Sequence, residues 1–464
     1  MTKKENVREA FKEIPSLDKI LRSIDLELDS LPLHLIKTKI KESLQKIRLE
    51  INNNNIPKDI YNYTIDKVLE DVKYISTPSL KSLINGTGII LNTSLGRAPI
   101  SKSILDSVSD TIYPYCNLEI NLKNNTRGER LDHINPLINS LVGSEKSILV
   151  NNNAAAVMIM LNSLCFGKKV IISRGQQVEI GGSFRIPDII ESSGCKMVEV
   201  GTTNKTSIDD YAKAIDDETA AILHVHTSNY KIIGFTQEVD LKDLSNLCNN
   251  NKINLLCDLG SGSIYNKKNH FIPVEREVKK YISAGVDVVT YSGDKLLGGA
   301  QGGIISGMST VIEKIHANPM YRTLRCDKYR IALFEKILRT YITTKKITND
   351  NLSIMLFERT QTQLRDNANK IVKSINSKIN TKYNIVIQES EVEAGSGSLP
   401  TEKILSIAIL ISSKEISSDT ISLRLRSCST PILTYIKNDR VFIDLKAITD
   451  SQLDLVSEMI NSCL

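Results

Sequence analysis

Tryptophan is absent from this chain, and aromatic residues together make up only 5% of it. Also missing is any apolar run of about 18 residues, the length a bilayer-spanning helix needs. The N-terminal stretch MTKKENVREAFKEIP carries charges where a secretory signal would be apolar. These absences exclude a helical membrane protein and predict a cytoplasmic one. The eight cysteines (116, 165, 195, 248, 257, 326, 428 and 463) form no C-x-x-C and no His-paired spacing. Neither a zinc site nor a redox dithiol is signalled, so no metal is expected and most thiols should be reduced and buried. Charge of one sign is lacking as well: 59 Lys and Arg face 53 Asp and Glu, a net of +6. So mild a balance does not by itself specify nucleic acid, which needs clustered cations. What is present is a globular composition, 41% hydrophobic and 24% charged, in 464 residues, enough for two or three domains.

Residues 1–80 are polar and helical in period, with Ile36, Ile40, Leu44 and Ile47 recurring on one face. The run from Asn52 to Pro57 cannot continue a helix and should separate two helical units. This segment holds 14 Lys and Arg against 13 Asp and Glu, yet within 31–48 five cations (Lys37, Lys39, Lys41, Lys46, Arg48) face one acid, Glu42. A solvated helix face explains that asymmetry as readily as a binding surface does. From 81 to 330, β-branched runs such as Lys169–Ser173, Ala220–Val225, Ile253–Asp258 and Val286–Tyr291 alternate with helical stretches. Continuous apolar strands between helices predict an α/β domain with a mostly parallel sheet, whose ligands sit at the C-terminal strand ends. Residues 331–464 read as a small α+β domain.

The strand ends carry the candidate chemistry. Lys295 follows a strand in the glycine-flanked loop Tyr291-Ser292-Gly293-Asp294-Lys295-Leu296-Leu297-Gly298-Gly299, where an amine can form a Schiff base with a cofactor packed against bare backbone. Partners for a pyridoxal phosphate (PLP) ring can be sought by role. Asp258, ending an apolar run, supplies the carboxylate that keeps a pyridine nitrogen protonated. Asn152, Asn153 and Ala154 open a small-residue helix whose first N–H groups suit a phosphate. Ser292 offers a hydroxyl to the same phosphate, and Asn229 an amide to the ring oxygen. Asp294 and His226 read as a general acid and a ring-stacking group, or as a turn carboxylate and a strand histidine. Arg97, Arg322 and Arg325 remain; if 319–325 is helical, the last two share one face and form a fork for an oxyanion.

These residues lie in stretches that resemble one family, bacterial selenocysteine synthase, the L-seryl-tRNA(Sec) selenium transferase. The stretches are INGTGIILNTSLGRAP, VNNNAAAVMIML, SRGQQVEIGGSFRIPD, GTTNKT, VHTSNYKIIGFT, DLGSGS, YSGDKLLGGAQGGII and AGSGSLP, in the family's order over roughly 84–400, and EIPSLDKILRS resembles the family's opening. The resemblance implies a fold-type-I PLP enzyme with the cofactor on Lys295. It implies a homo-oligomer, a decamer built from dimers, and an N-terminal helical domain that holds the tRNA. It matches Arg97, Arg322 and Arg325 to the binding of selenophosphate, and Asp294 and Asn229 to polar groups near the cofactor. Seryl-tRNA(Sec) would become selenocysteinyl-tRNA(Sec) through a PLP-bound aminoacrylate. Four positions depart from the pattern: Gln176-Gln177 for Glu-Leu, Ala300 for Pro, and Asn318 for His. A PLP-dependent lyase acting on a small amino acid shares the core motifs, and a catalytically silent tRNA-binding subunit would need none of Lys295, Asp258 and the Asn-rich helix start.

Overall fold

The computed structural model describes residues 3–24, 31–180, 184–264, 277–343, 347–395 and 403–464. They divide into two compact units, Met1–Leu83 and Ile84–Leu464.

The first unit is helical: α1 (Lys3–Glu13), α2 (Leu17–Ser23), α3 (Leu33–Asn52) and α4 (Ile60–Ser76). The 3.6-residue period of α3 buries Ile36, Ile40, Leu44 and Ile47, and the first three pack with Ile20, Val68 and Val72. The helix stops at the asparagine run, where Asn54 takes φ 69°, and α4 restarts on an Asp59 cap whose side chain accepts from Asn62 N.

The second unit is built on a seven-stranded sheet: β1 (Lys146–Val150), β2 (Lys169–Ser173), β3 (Lys196–Val200), β4 (Thr219–Val225), β5 (Asn254–Gly260), β6 (Val288–Ser292) and β7 (Gly303–Gly307). Their spatial order is β1-β7-β6-β5-β4-β2-β3. All pairings are parallel except those of β7, which runs against both neighbours. Strands β4 to β7 are buried along nearly their whole length, as continuous apolar runs demand when helices cover both faces. Helix α5 (Asn153–Cys165) follows β1 directly. Gly303 lets β7 pass its start, because a Cβ there would collide with the Asn152 carbonyl.

An antiparallel sheet closes the chain: β8 (Asn384–Val392), β9 (Ile404–Ser412), β10 (Tyr435–Lys437) and β11 (Arg440–Asp444), in the order β8-β9-β11-β10. The boundary expected near 330 does not partition the chain cleanly. Ile84–Asn85 pairs in parallel with Ile432–Leu433, Asp444 N donates to Gly86 O at 2.8 Å, and Ile84 lies in the C-terminal core. The strand opening the second unit therefore belongs with its end, a long-range pairing that no local pattern announces. Cys428 and Cys463 form a disulfide; the other six cysteines are free, and all but Cys116 are buried. Among the described residues no helix is long and apolar enough to cross a membrane, and no group of three or more His, Cys, Asp or Glu could hold a metal.

Candidate active site

Asp258 lies near the C-terminal end of β5, 4% exposed. Its Oδ1 accepts Asn153 Nδ2 at 2.9 Å, Thr290 Oγ1 at 2.9 Å and Gly260 N at 3.2 Å. Burial pushes this carboxyl above the usual range, while those three donors and the nearby Lys295 charge pull it back. A carboxylate so prepared has one acceptor oxygen engaged and a low-dielectric setting, in which an opposed cationic ring nitrogen would keep it ionised.

Lys295 is itself buried, at 5% exposed. Its loop is pinned by backbone bonds from Gly293 N to Gly302 O (2.9 Å), Gly298 N to Lys295 O (2.9 Å) and Gly299 N to Gly293 O (2.8 Å). Gly298 sits at φ +71°, so the turn that fixes the lysine requires a glycine. Asp294 and Arg97, read separately from the sequence, form one ion pair: Arg97 Nη1 donates to Asp294 Oδ2 at 2.7 Å. Ala98 N donates to the Asp294 carbonyl at 3.2 Å, and Arg97 N to Asn92 O at 2.9 Å, so a turn with Arg97 at φ 67° carries the guanidinium to the lysine loop.

At the start of α5 the asparagines divide the work. Asn152 is the cap, its Oδ1 accepting Ala155 N at 2.8 Å, whereas the Asn153 amide turns to Asp258. The N–H groups of the first helical turn, including those of Asn153 and Ala154, have no intrahelical acceptor, which leaves them open to an anion. Ser292, buried at the end of β6, pairs across to Gly303 in β7, which passes the same helix start. Asn229 donates Nδ2 to Glu179 O at 2.6 Å. Four buried polar atoms contributed from the ends of β1 and β4 have no partner: Asn151 Oδ1, Asn153 Oδ1, Ser228 Oγ and Asn229 Oδ1. Each such orphan costs about 1–3 kcal/mol, and those on Asn153, whose amide holds Asp258, and on Ser228, against Gly260, fit a polar ligand there. His226 N donates to Asp258 O at 2.9 Å, which joins the β4 end to the Asp258 strand. A buried carboxylate, a buried lysine, a capped helix start and unsatisfied acceptors are the parts PLP needs.

The expected arginine fork is corrected in form. Helix α6 (Met320–Leu324) ends before Arg325, which is extended at φ −65° and ψ 145° and bridges to Val150. Arg322 and Arg325 nevertheless line one cavity of ≈ 310 Å³, together with Glu119, Arg127, Arg130 and Tyr321. Arg97 is not on its wall; it stays with Asp294. Sequence reasoning missed Thr290, Glu119 and Arg130, for which neither spacing nor composition gives a signal. The departures have structural uses: Gln176 is buried and accepts Val225 N at 3.1 Å, and Asn318 Oδ1 accepts Met320 N at 2.9 Å at the start of α6. Ala300 is buried behind the lysine loop. Residues 396–400 of AGSGSLP and 181–183 of SRGQQVEIGGSFRIPD lie outside the described residues.

Residues 83–449 match the family model described as L-seryl-tRNA selenium transferase. Curated relatives match over most or nearly all of the chain. A protein named L-seryl-tRNA(Sec) selenium transferase from Alkaliphilus oremlandii is 37% identical over 99% of this chain and 100% of its own. One of the same name from Carboxydothermus hydrogenoformans is 36% identical over 98% of both, and one from Haemophilus influenzae 38% identical over 95% and 97%. Among solved structures, a D-glucosaminate-6-phosphate ammonia-lyase superposes with a TM-score of 0.57 at 16% identity, covering 83% of this chain and 96% of that one. That likeness is one of fold.

Proposed function

Since the chain belongs to the L-seryl-tRNA selenium transferase family, we propose that it converts seryl-tRNA(Sec) to selenocysteinyl-tRNA(Sec) with PLP anchored on Lys295 and selenophosphate as donor. The observation that carries this reading is that Lys295 and Asp258 are both buried, with the lysine charge acting on the Asp258 carboxyl, and that Asn153 and Ser228 next to Asp258 and Gly260 keep unsatisfied polar atoms. When bound, PLP supplies an electron sink that acidifies the serine Cα–H and lets the β-hydroxyl leave.

The chain's own residues do the rest. Asp258, fixed by Asn153 and Thr290, holds the proton on the ring nitrogen. The helix start at Asn152–Ala154, with Ser292, binds the phosphate, and Asn229 orients the ring oxygen. Lys295, once displaced by the substrate amine, takes the proton from the serine Cα. Asp294, clamped by Arg97, keeps the lysine loop in register and is the nearby carboxylate for proton transfer. Arg322 and Arg325 bind the selenophosphate oxyanion, and Arg97 contributes from the lysine side.

The helical unit 1–80 holds the tRNA. Within α3, Lys39 and Lys46 are tied to Glu42 and Asp71, while Lys37, Lys41 and Arg48 have no carboxylate in reach among the described residues and remain available to phosphates. We assign the protein to the cytoplasm as a homo-oligomer, a decamer built from dimers.

Borohydride reduction of the holoenzyme should fix PLP to the peptide containing Lys295; label on another lysine overturns the anchor. Incubation with seryl-tRNA(Sec) and selenophosphate should yield selenocysteinyl-tRNA(Sec), whereas ammonia released from a small amino acid would favour a lyase. Removal of residues 1–83 should abolish tRNA binding; retained affinity would move the tRNA site elsewhere.

A further inference from the structure

The cavity bearing Arg322 and Arg325 contains a carboxylate that the reaction described above leaves without a task. Glu119 Oε1 accepts Arg130 Nε at 2.6 Å and lies 3.7 Å from Arg325 Nη1, while its Oε2 lies 3.6 Å from Arg127 Nη2. One acid thus faces three guanidinia. They differ in freedom: the Arg127 side chain is 83% exposed, that of Arg325 38% and that of Arg130 22%. Arg130 is the most constrained because its Nη1 also donates to Cys326 O at 2.6 Å, the carbonyl next after Arg325. The same strip of backbone is bonded to the strand feeding the cofactor helix, through Asn151 N to Leu324 O at 2.9 Å and the Val150–Arg325 bridge.

Remove the carboxylate, and Arg130 and Arg325, which both face Glu119 Oε1, are left as neighbouring like charges with nothing between them. Arg325, the freer of the two, would swing towards solvent. With Glu119 present the cavity wall still carries four arginines against Glu119 and Glu129, so it attracts an anion. The three guanidinia hold the Glu119 carboxyl below its usual range, so it stays ionised at neutral pH.

We propose that Glu119 is a positioning residue for the selenium donor: without touching the donor, it fixes the Arg325 guanidinium against Arg130 at the spacing that receives the oxyanion. This rests on the reading of Arg325 as a donor ligand.

The test varies selenophosphate at saturating seryl-tRNA(Sec) in the holoenzyme, comparing wild type with E119Q, E119D and R325A. E119Q should raise the donor KM about tenfold while kcat at saturating donor stays within about twofold, the pattern of lost ground-state positioning. E119D, shorter but charged, should restore most of that KM. Bound-cofactor absorbance reports folding, and if E119Q loses it, E119D alone decides, with an intermediate donor KM expected. A donor KM unchanged or lowered in the glutamate variants while R325A raises it overturns the Glu119 role and leaves the Arg325 reading standing. A donor KM unchanged in R325A overturns both.

Discussion

Two buried Asp–Lys centres stand in the second unit, and only one has the features of an active site. Asp444 at the end of β11 accepts Ser390 Oγ at 2.6 Å, Ser406 Oγ at 2.6 Å and Lys446 N at 3.0 Å. Lys446, fully buried, donates to Arg359 O at 2.8 Å, and Arg359 in turn reaches the Ile448 carbonyl and Asp450. Burial, only partly offset by Asp444, depresses the Lys446 pKa to about 8. By burial the pair rivals Asp258 and Lys295, and Asp444, like Asp258, is pushed above the usual carboxylate range by desolvation. The difference is saturation. None of the side chains in the Asp444 network leaves a buried polar atom without a partner, whereas Asn153, which holds Asp258, and Ser228, against Gly260, each do. A buried lysine is therefore no mark of chemistry by itself; unsatisfied groups aimed at a common space are the better sign.

That contrast can be broken by substitution, starting with the largest effect. Lys295→Ala should reduce selenocysteinyl-tRNA formation by about a thousandfold or more, since anchor and base vanish together, and borohydride should no longer fix PLP to the chain. Asp258→Asn should keep borohydride-reducible PLP but lower kcat by on the order of a hundredfold, the loss expected when one fixed electrostatic partner is removed. Lys446→Met should do the reverse: urea unfolding should show a loss of about 3–5 kcal/mol from breaking a buried pair, with kcat per folded molecule unchanged. Equal kcat losses at Lys446 and Asp258 would dissolve the comparison.

The Lys446 effect should also depend on pH with a definite sign. Its folded pKa, about 8, lies below the ordinary 10.5, so between those values the unfolded chain retains a proton that the folded chain has released. Wild-type stability measured against Lys446→Met should rise as pH increases through that window and level off below it. The smallest effect is expected at the helix start. Asn152→Ala removes the cap on Ala155 N, costing about 1 kcal/mol, together with a measurable weakening of PLP binding in fluorescence titration.

Local pattern made the proposed cofactor half of the site legible. Lys295, Asp258 and the Asn152 helix start each sit at the end of an apolar run, and a parallel sheet brings such ends to one edge. The proposed donor half was less legible. Arg322 and Arg325 were expected on one helical face, but α6 stops at Leu324 because the following backbone goes extended to bridge Val150. Glu119 and Arg130 carried no signal, because their use depends on which segments meet. The backbone N–H of Asn153 is the group the sequence offers to a phosphate, and its side chain has a further use that no local pattern announces, holding Asp258.

The order of strands and helices, the apolar face of α3 and the lysine in its glycine loop follow from the sequence itself, since hydrophobic period and backbone freedom are local properties. Which charges face one another does not. The pairing of Arg97 with Asp294, the three guanidinia around Glu119, the closure of Ile84–Asn85 onto Ile432–Leu433 and the saturation of Lys446 were decided by tertiary structure alone. Each joins residues far apart in the chain, and hydrogen-bond and Coulomb energies depend on ångström distances that only packing sets.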